Sequence, residues 1–198
     1  DKWVEAKDLE INISKVKKGP IYPVSNIDED IKMYNNWSLN DNNKVGGWHL
    51  SNKNEYLKTM AYMRILGLML TDGTLTEKDA AIFSGHNIDT QSILTDIKLI
   101  SDKTINPSKQ KYVDAIYIPT LISKQYPMVT GMKPGGRMNQ DAKFPDFILD
   151  KNCPLPIIRE FLGGLFGGAG NVASLGDDKF SSIGFSQTKS TKYVDSLK

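Results

Sequence analysis

The stretch Arg64-Ile-Leu-Gly-Leu-Met-Leu-Thr-Asp-Gly73 decides the fold of this chain, because a second version of it follows later. The second version is Glu160-Phe-Leu-Gly-Gly-Leu-Phe-Gly-Gly-Ala-Gly170, in which Ala169 takes the place of Asp72, 97 positions on. Each version is an apolar run that contains glycine and stops at a glycine. Since internal repeats determine architecture, the sequence predicts two equivalent helices related by a pseudo-twofold axis.

Three glycines inside the predicted helices indicate how the two copies pack. Gly67, Gly163 and Gly164 each cost about 1 kcal/mol relative to alanine in a helix interior. This cost is usually offset where the missing side chain lets two helices approach closely. We therefore expect these glycines to form the helix interface, which brings Asp72 and position 169 together at the base of the pair.

A family resemblance rests on these motifs. The residues Leu66-Gly-Leu-Met-Leu-Thr-Asp-Gly73 and Phe161-Leu-Gly-Gly-Leu-Phe-Gly-Gly-Ala-Gly170 resemble the paired motifs of LAGLIDADG homing endonucleases, in the wording found in endonuclease domains embedded in inteins. The resemblance covers about residues 56–198. It implies an α+β fold with a pseudo-twofold repeat of helix–strand–strand–helix–strand–strand–helix units, whose antiparallel sheets straddle DNA. The implied activity is site-specific hydrolysis of both DNA strands with Mg²⁺ or another divalent cation.

The predicted organisation has three parts. Residues 1–54 form an N-terminal arm or intein linker, residues 55–155 the first half-domain and residues 156–198 the second. Periodicity and turn residues place the elements of the two halves. The predicted elements are a helix over 55–70, a hairpin over 74–84 with its turn at 76–79, a helix over 89–100, a strand over 111–119, a short helix over 120–126, a hairpin of 172–175 with 182–187 around a turn at 176–179, and a helix starting at 191. Residues 15–48 are expected to form loops and short strands, such as 47–50.

The resemblance also assigns the catalytic residues. Each motif of the family carries one acidic metal ligand at the base of its helix; Asp72 matches and Ala169 does not. Asp72 and the backbone carbonyl of Gly168 are the predicted metal ligands, Gln187 would position the attacking water, and Lys189 would stabilise charge on the transferred phosphoryl group. Because a methyl group cannot bind metal, we expect impaired cleavage and retained DNA binding.

A local excess of positive charge lies between the two motifs. Residues 98–143 contain eight Lys or Arg residues and three Asp residues, an excess of +5 in a chain whose net charge is +2. Such an excess beside a sheet is suited to phosphate contacts. The glycine-rich loop 133–139 lacks the Lys-Ser/Thr ending of a P-loop, which excludes nucleotide binding. The predicted DNA contacts are Lys103, Lys109, Lys111, Lys133, Arg137, Lys143 and Lys192.

Two other functions stay open. A non-cleaving LAGLIDADG protein that binds nucleic acid, similar to a maturase or a transcription regulator, is favoured by Ala169, whereas the intein-like wording opposes it. A pairing or scaffold module without nucleic acid is the third. This third function predicts no salt-sensitive DNA affinity. The endonuclease and the non-cleaving binding protein both predict a DNA affinity that falls steeply as the salt concentration rises.

Length and composition limit the setting of the protein. The 198 residues allow one large or two small domains, and the single cysteine, Cys153, excludes an intrachain disulfide. Arg64 and Asp72 bracket the first apolar run, so no membrane span is predicted. We expect an intracellular protein of the nucleus or cytoplasm, with no signal peptide. Only residues 171–198 follow the second motif, so we expect an incomplete second half. The expected partners are double-stranded DNA, a complementary C-terminal fragment and the splicing domain of the same intein.

Overall fold

The structure, a computed structural model, describes residues 26–39, 47–135 and 142–170, together with the backbone of residues 175–176 and 179–180. Its mixed α+β architecture agrees with the predicted fold class. The helices are α1 (Ile27–Tyr34), α2 (Lys53–Asp72), α3 (Asn87–Ser101), α4 (Thr120–Ser123), α5 (Tyr126–Thr130) and α6 (Leu155–Ala169), with a 3-10 turn at Asp146–Ile148. The strands are β1 (Ser38–Leu39), β2 (Trp48–His49), β3 (Gly73–Leu75), β4 (Ala80–Ser84), β5 (Ser108–Lys109), β6 (Asp114–Tyr117), β7 (Leu175–Gly176) and β8 (Lys179–Phe180).

Helix α2 is the centre of the core. Asn52 caps its N-terminus, because its side chain accepts a hydrogen bond of 3.1 Å from the Glu55 amide. From there the helix packs against α3 and, most extensively, against α6. Its middle is buried around most of its circumference, as Met63, Ile65 and Leu66 are all inaccessible to solvent. The helix predicted over 55–70 is therefore confirmed and extends about half a turn further at each end.

A four-stranded antiparallel sheet supports this helix. Its strand order is β3-β4-β6-β5, and Ile82 pairs with Ile116 at its centre. Because successive residues of a strand point to opposite faces, the buried Ile82 and Ile116 face the helices while Phe83 and Tyr117 lie on the outer face, 37% and 49% exposed. The predicted hairpin, its turn at 76–79 and the antiparallel pairing of the sheet are confirmed.

The segment before α2 packs onto the core. Trp48 stacks on Tyr62 with a centroid distance of 4.2 Å, and its indole nitrogen donates to Gln125 Oε1 at 2.8 Å. The short strand predicted at 47–50 is present as β2. Helix α1 is a correction, since residues 15–48 were expected to contain loops and strands only. Its signals were the Asn26 cap and the acidic first turn that favours a helix N-terminus.

Three further elements differ from the sequence-based expectation. The strand predicted over 111–119 is limited to β6, which pairs with the short β5. The helix predicted over 120–126 is instead two short helices, α4 and α5, because Pro127 begins a new helix rather than continuing the old one. In the second hairpin, β7 and β8 pair Leu175 with Phe180, so the ladder runs through residues 176 and 179 that had been assigned to the turn. The alternation of polar and apolar residues is too short in these strands to specify their register.

Within the ranges that the structure describes, no helix combines the length and the apolar character needed to cross a membrane.

Candidate active site at the ends of two paired helices

Helices α2 and α6 touch through their backbones at Gly67 and Gly164. A methyl group placed on Gly67 would lie 2.6 Å from the Leu165 nitrogen and 3.1 Å from the Gly164 carbonyl carbon. A methyl group placed on Gly164 would lie 2.9 Å from the Arg64 carbonyl carbon. Distances this short to backbone atoms leave no room for a side chain on either helix. Gly67 and Gly164, two of the three glycines predicted to pack at the interface, therefore lie in it.

Gly163 does not lie in this interface, so the prediction that it packs there is wrong. A methyl group on Gly163 would meet no atom within 4 Å, and the same is true of Gly167. Successive residues are rotated by about 100° around a helix, so Gly163 faces away from α2 when Gly164 faces it. Glycines at four-residue spacing thus line an open side of α6, which borders a groove.

The two helices end in the same way, as the sequence repeat predicts. Gly73 has φ and ψ of −83° and 152°, and Gly170 has −89° and 155°. In both cases the chain turns closely past the residue four positions earlier: a methyl on Gly73 would lie 2.6 Å from Met69 Cα, and one on Gly170 would lie 3.1 Å from Phe166 Cα. The two copies of the motif therefore share their terminal backbone geometry as well as their residue pattern.

The predicted metal ligands lie together at these helix ends. Asp72 closes α2, and a methyl group placed on Gly168 would overlap both Asp72 Oδ2 and Thr71 Oγ1. The Asp72 carboxylate therefore lies against the α6 backbone, one residue before Ala169. Residues 165–170 of α6 contain no acidic side chain. The paired ends thus combine the Asp72 carboxylate with backbone groups of α6, and the second position contributes a methyl group.

An open groove of about 1040 Å³ runs beside the helix pair. Helix α6 contributes its open glycine side, including Gly167, while α3 and strand β4 form the opposite walls. Asp72 lies at the α2 side of this groove and is half-buried. The charged side chains that line the groove are Arg64, Asp72, Asp89 and Asp96, beside His86.

A network of ion pairs joins helices α2, α3 and α6 beside the groove. Arg64 of α2 donates to both carboxylate oxygens of Asp96 on α3, at 2.8 and 2.6 Å, and to Glu160 Oε2 on α6 at 2.6 Å. The hydrogen bonds that Arg64 donates to Asp96, partly opposed by burial, raise the pKa of Arg64 above its ordinary value. Sequence reasoning missed this network. Its only signal was an arginine within an apolar helix, which requires a carboxylate partner when buried.

The predicted DNA-binding cations fall into separate groups. Lys109 lies on β5 and Lys111 on the following turn, where its Nζ lies 4.9 Å from the centre of the Tyr112 ring. Both are exposed at the edge of the sheet, and Lys103 is exposed just after α3. Lys133 is exposed beyond α5. Lys143 pairs with Asp146 at 2.6 Å and so faces a carboxylate of its own chain.

Four predicted site residues lie outside the described ranges: Arg137, Gln187, Lys189 and Lys192. Their roles stay predictions. In the described part of the chain, no three His, Cys, Asp or Glu side chains converge as a metal-binding group.

Comparison with known proteins provides no family assignment. No family model matches the chain, and no curated protein is significantly similar to it.

Proposed function

We propose that this chain is a LAGLIDADG-type, intein-derived homing endonuclease domain whose cleavage of double-stranded DNA is impaired at Ala169. The observation that carries the proposal is the Asp72 carboxylate lying against Gly168, at the joined ends of two helices with the same glycine pattern and the same terminal backbone geometry. A duplicated pair of helix ends is the arrangement that would present one acidic residue from each copy to a shared reaction centre.

The oxygen atoms at the paired helix ends suit a hard divalent cation, although they include one carboxylate rather than two. Carboxylate and carbonyl oxygens are the ligands that Mg²⁺ prefers, and Asp72 with the Gly168 carbonyl would supply them. A bound Mg²⁺ would polarise the scissile phosphate and lower the pKa of a water nucleophile. The chain's own contribution is to hold the Asp72 carboxylate at the helix ends. With a methyl at position 169, a paired site has one carboxylate fewer, which favours weak metal binding and slow cleavage.

The outer face of the sheet is the surface proposed for DNA. In the described part of the chain this face carries the exposed rings of Phe83 and Tyr117, and the exposed Lys109 and Lys111 lie on and just after the edge strand β5. Exposed lysines would contact phosphates and aromatic side chains would contact sugars and base edges. An antiparallel sheet with one free face supports such a role because its side chains project alternately and can follow a groove.

A second candidate is a non-cleaving protein that binds nucleic acid, similar to a maturase or transcription regulator. The observation in its favour is the absence of any carboxylate from residues 165–170, opposite Asp72. In this alternative the helix pair is a rigid support for the sheet, and Asp72 has no catalytic role. Both candidates predict salt-sensitive binding, so cleavage separates them.

The test restores the missing carboxylate. Binding sites are first selected from a random double-stranded DNA library with the parent protein. The parent, Ala169→Asp, Ala169→Asn and Asp72→Asn/Ala169→Asp are then incubated with those sites and Mg²⁺. We expect double-strand cleavage by Ala169→Asp, little or none by the other three, and similar DNA affinity for all four. Selection and binding without cleavage by any variant would favour the second candidate. Failure to select any DNA would contradict both.

A further inference from the structure

We propose that Thr71 and Gly168 form a complementary pair that positions the Asp72 carboxylate at the end of the helix pair. The inference rests on the proposed function, because it assigns a purpose to the placement of Asp72. It gives Thr71 a role that the motif resemblance does not assign, and it gives Gly168 a role through its missing side chain in addition to its backbone carbonyl. Thr71 acts through its neighbour Asp72 and is therefore a positioning residue.

The two residues occupy equivalent places in the repeat. Thr71 precedes Asp72 in the first copy, and Gly168 precedes Ala169 in the second, again 97 positions apart. In a fully symmetric pair, equal side chains would meet across the pseudo-twofold axis. Here a side chain on α2 meets a residue without one on α6. The difference between the two copies is therefore complementary in volume.

The contacts at this place leave little freedom. Thr71 is fully buried, and its hydroxyl donates to the Leu68 carbonyl oxygen at 3.1 Å, which holds the side chain in one rotamer. A methyl group on Gly168 would lie 2.9 Å from Thr71 Cβ and would overlap Thr71 Oγ1 and Asp72 Oδ2. The same missing side chain thus accommodates both Thr71 and the Asp72 carboxylate. Any side chain at position 168 must move one of them.

Movement of Asp72 has a functional consequence. Catalytic groups must be held within about 0.5 Å of their productive position. A buried Thr71 packed against bare α6 backbone fixes the spacing of the helix ends, so Asp72 stays at a constant distance from position 169. Adding a side chain at Gly168, or truncating the side chain of Thr71, is expected to change the distance between Asp72 and position 169. Neither change alters the sheet that is proposed to bind DNA.

The neighbouring Gly167 supplies a matched control. It lies in the same turn of α6, but a methyl group there would meet no atom within 4 Å. Gly167→Ala and Gly168→Ala therefore add the same atoms to adjacent residues, one into open space and one against Asp72. Thr71→Gly in the Gly168→Ala background removes the overlap with Thr71 but keeps the overlap with Asp72, so this double variant isolates the effect of the methyl group on Asp72.

The first measurement uses the full chain and does not depend on cleavage. The NMR chemical shift of the Asp72 carboxyl carbon is compared at one fixed pH in the parent, Gly168→Ala, Gly167→Ala, Thr71→Ala and Gly168→Ala/Thr71→Gly. We expect a changed Asp72 shift in Gly168→Ala, in Thr71→Ala and in the double variant, and no change in Gly167→Ala. Thr71→Ala introduces no overlap and is expected to fold even if Gly168→Ala does not. An Asp72 signal that is unchanged in Thr71→Ala and in every folded Gly168→Ala variant would overturn the proposal.

The second measurement places the same changes on Ala169→Asp. Gly168→Ala is expected to lower the single-turnover cleavage rate and the Mn²⁺ affinity at least tenfold, while DNA affinity changes less than twofold. Loss of thermal stability with unchanged Mn²⁺ affinity and rate would reduce Thr71 and Gly168 to a packing role and overturn the positioning proposal alone. An Ala169→Asp protein that never cleaves, combined with the expected Asp72 chemical shifts, would instead count against the proposed function.

Discussion

Gly67 of α2 lies against the backbone of Gly164 of α6, close enough that a methyl group on Gly67 would be 3.1 Å from the Gly164 carbonyl carbon. The helices therefore meet backbone to backbone, and this crossing sets the position of everything at their C-terminal ends. Because the two helices run alongside one another from this point, Asp72 and Ala169 emerge at the same end of the pair.

Alanine at the crossing is predicted to destabilise the protein, whereas alanine beside it is predicted to stabilise it. Gly67→Ala and Gly164→Ala must separate the helices, which costs about 1–3 kcal/mol of unfolding free energy. Gly163→Ala and Gly167→Ala add a methyl group in open space and gain about 0.5–1 kcal/mol from helix propensity. Urea denaturation of the four variants measures both signs. Equal effects at all four positions would contradict the described crossing.

Loss of Arg64 is predicted to loosen the contact of α2 with α3 and α6. Arg64→Met removes the bonds to Asp96 and Glu160, and since the Arg64 side chain is about one-third exposed, we expect a loss of about 1–3 kcal/mol rather than the full cost of a buried pair. Arg159→Met is the control, because its contact with Glu160 is 3.4 Å long and more exposed. A double-mutant cycle with Asp96→Asn should give a coupling energy for Arg64 and none for Arg159.

Two tyrosine hydroxyls provide opposite predictions. Among the described residues the Tyr62 hydroxyl is buried without a hydrogen-bond partner, and burial raises the pKa of Tyr62 above its ordinary value. Tyr62→Phe removes an unsatisfied polar group, so we expect unchanged or increased stability, by up to about 1 kcal/mol. Tyr56 donates to Asp30 Oδ2 at 2.7 Å, and Tyr56→Phe should cost about 1 kcal/mol. Thermal unfolding of the two variants measures both stability changes. A stability change of the same sign in both variants would contradict the prediction.

The single thiol is predicted to be unreactive in the folded protein. Burial, with a smaller contribution from Asp150, raises the pKa of Cys153 from 9.0 to about 12. Because the thiolate is the reactive form, a disulfide reagent at pH 8 should label Cys153 slowly in the native chain and at once in urea. Labelling at the same rate in both conditions would show that the thiol is not protected.

The same shift predicts a loss of stability in alkali. Between pH 9 and pH 12 the unfolded chain releases the thiol proton while the folded chain keeps it, so unfolding free energy falls as the pH rises through this range. Below pH 9 the two states bind the proton equally, and the contribution is fully present. Comparing Cys153→Ala with the parent by urea denaturation from pH 7 to pH 10.5 isolates this group, and the variant should lose less stability above pH 9.

The salt dependence of DNA binding is predicted to distinguish the lysines. If the sheet edge contacts phosphates as proposed, Lys109→Gln and Lys111→Gln should each reduce the slope of log affinity against log salt by about 1. Lys143→Gln should have a smaller effect, because Lys143 already pairs with Asp146. Titrations of the selected DNA sites at several salt concentrations measure the slopes. Equal slopes for all three variants would remove the sheet edge from the DNA surface.

Much of the first half of the fold follows from local sequence signals. The apolar run with Asn52 before it specifies α2, and the polar turn at 76–79 between short apolar stretches specifies the β3–β4 hairpin. Helix α1 was missed although its cap and acidic first turn were visible, because its surroundings are rich in loop-forming residues. Register in the short second hairpin was also misplaced, since two-residue strands carry too little alternation to specify it.

The sequence by itself determined the duplication, the position of Asp72 and the absence of its counterpart at Ala169, because these depend only on residue identity and spacing. Only the tertiary structure decided which glycines form the crossing, that Gly168 faces Thr71 and Asp72, and that Arg64 joins three helices. Rotation by about 100° per residue separates adjacent glycines into opposite roles. The carboxylate partners of Arg64 lie on helices distant in the chain, and no local pattern encodes that distance.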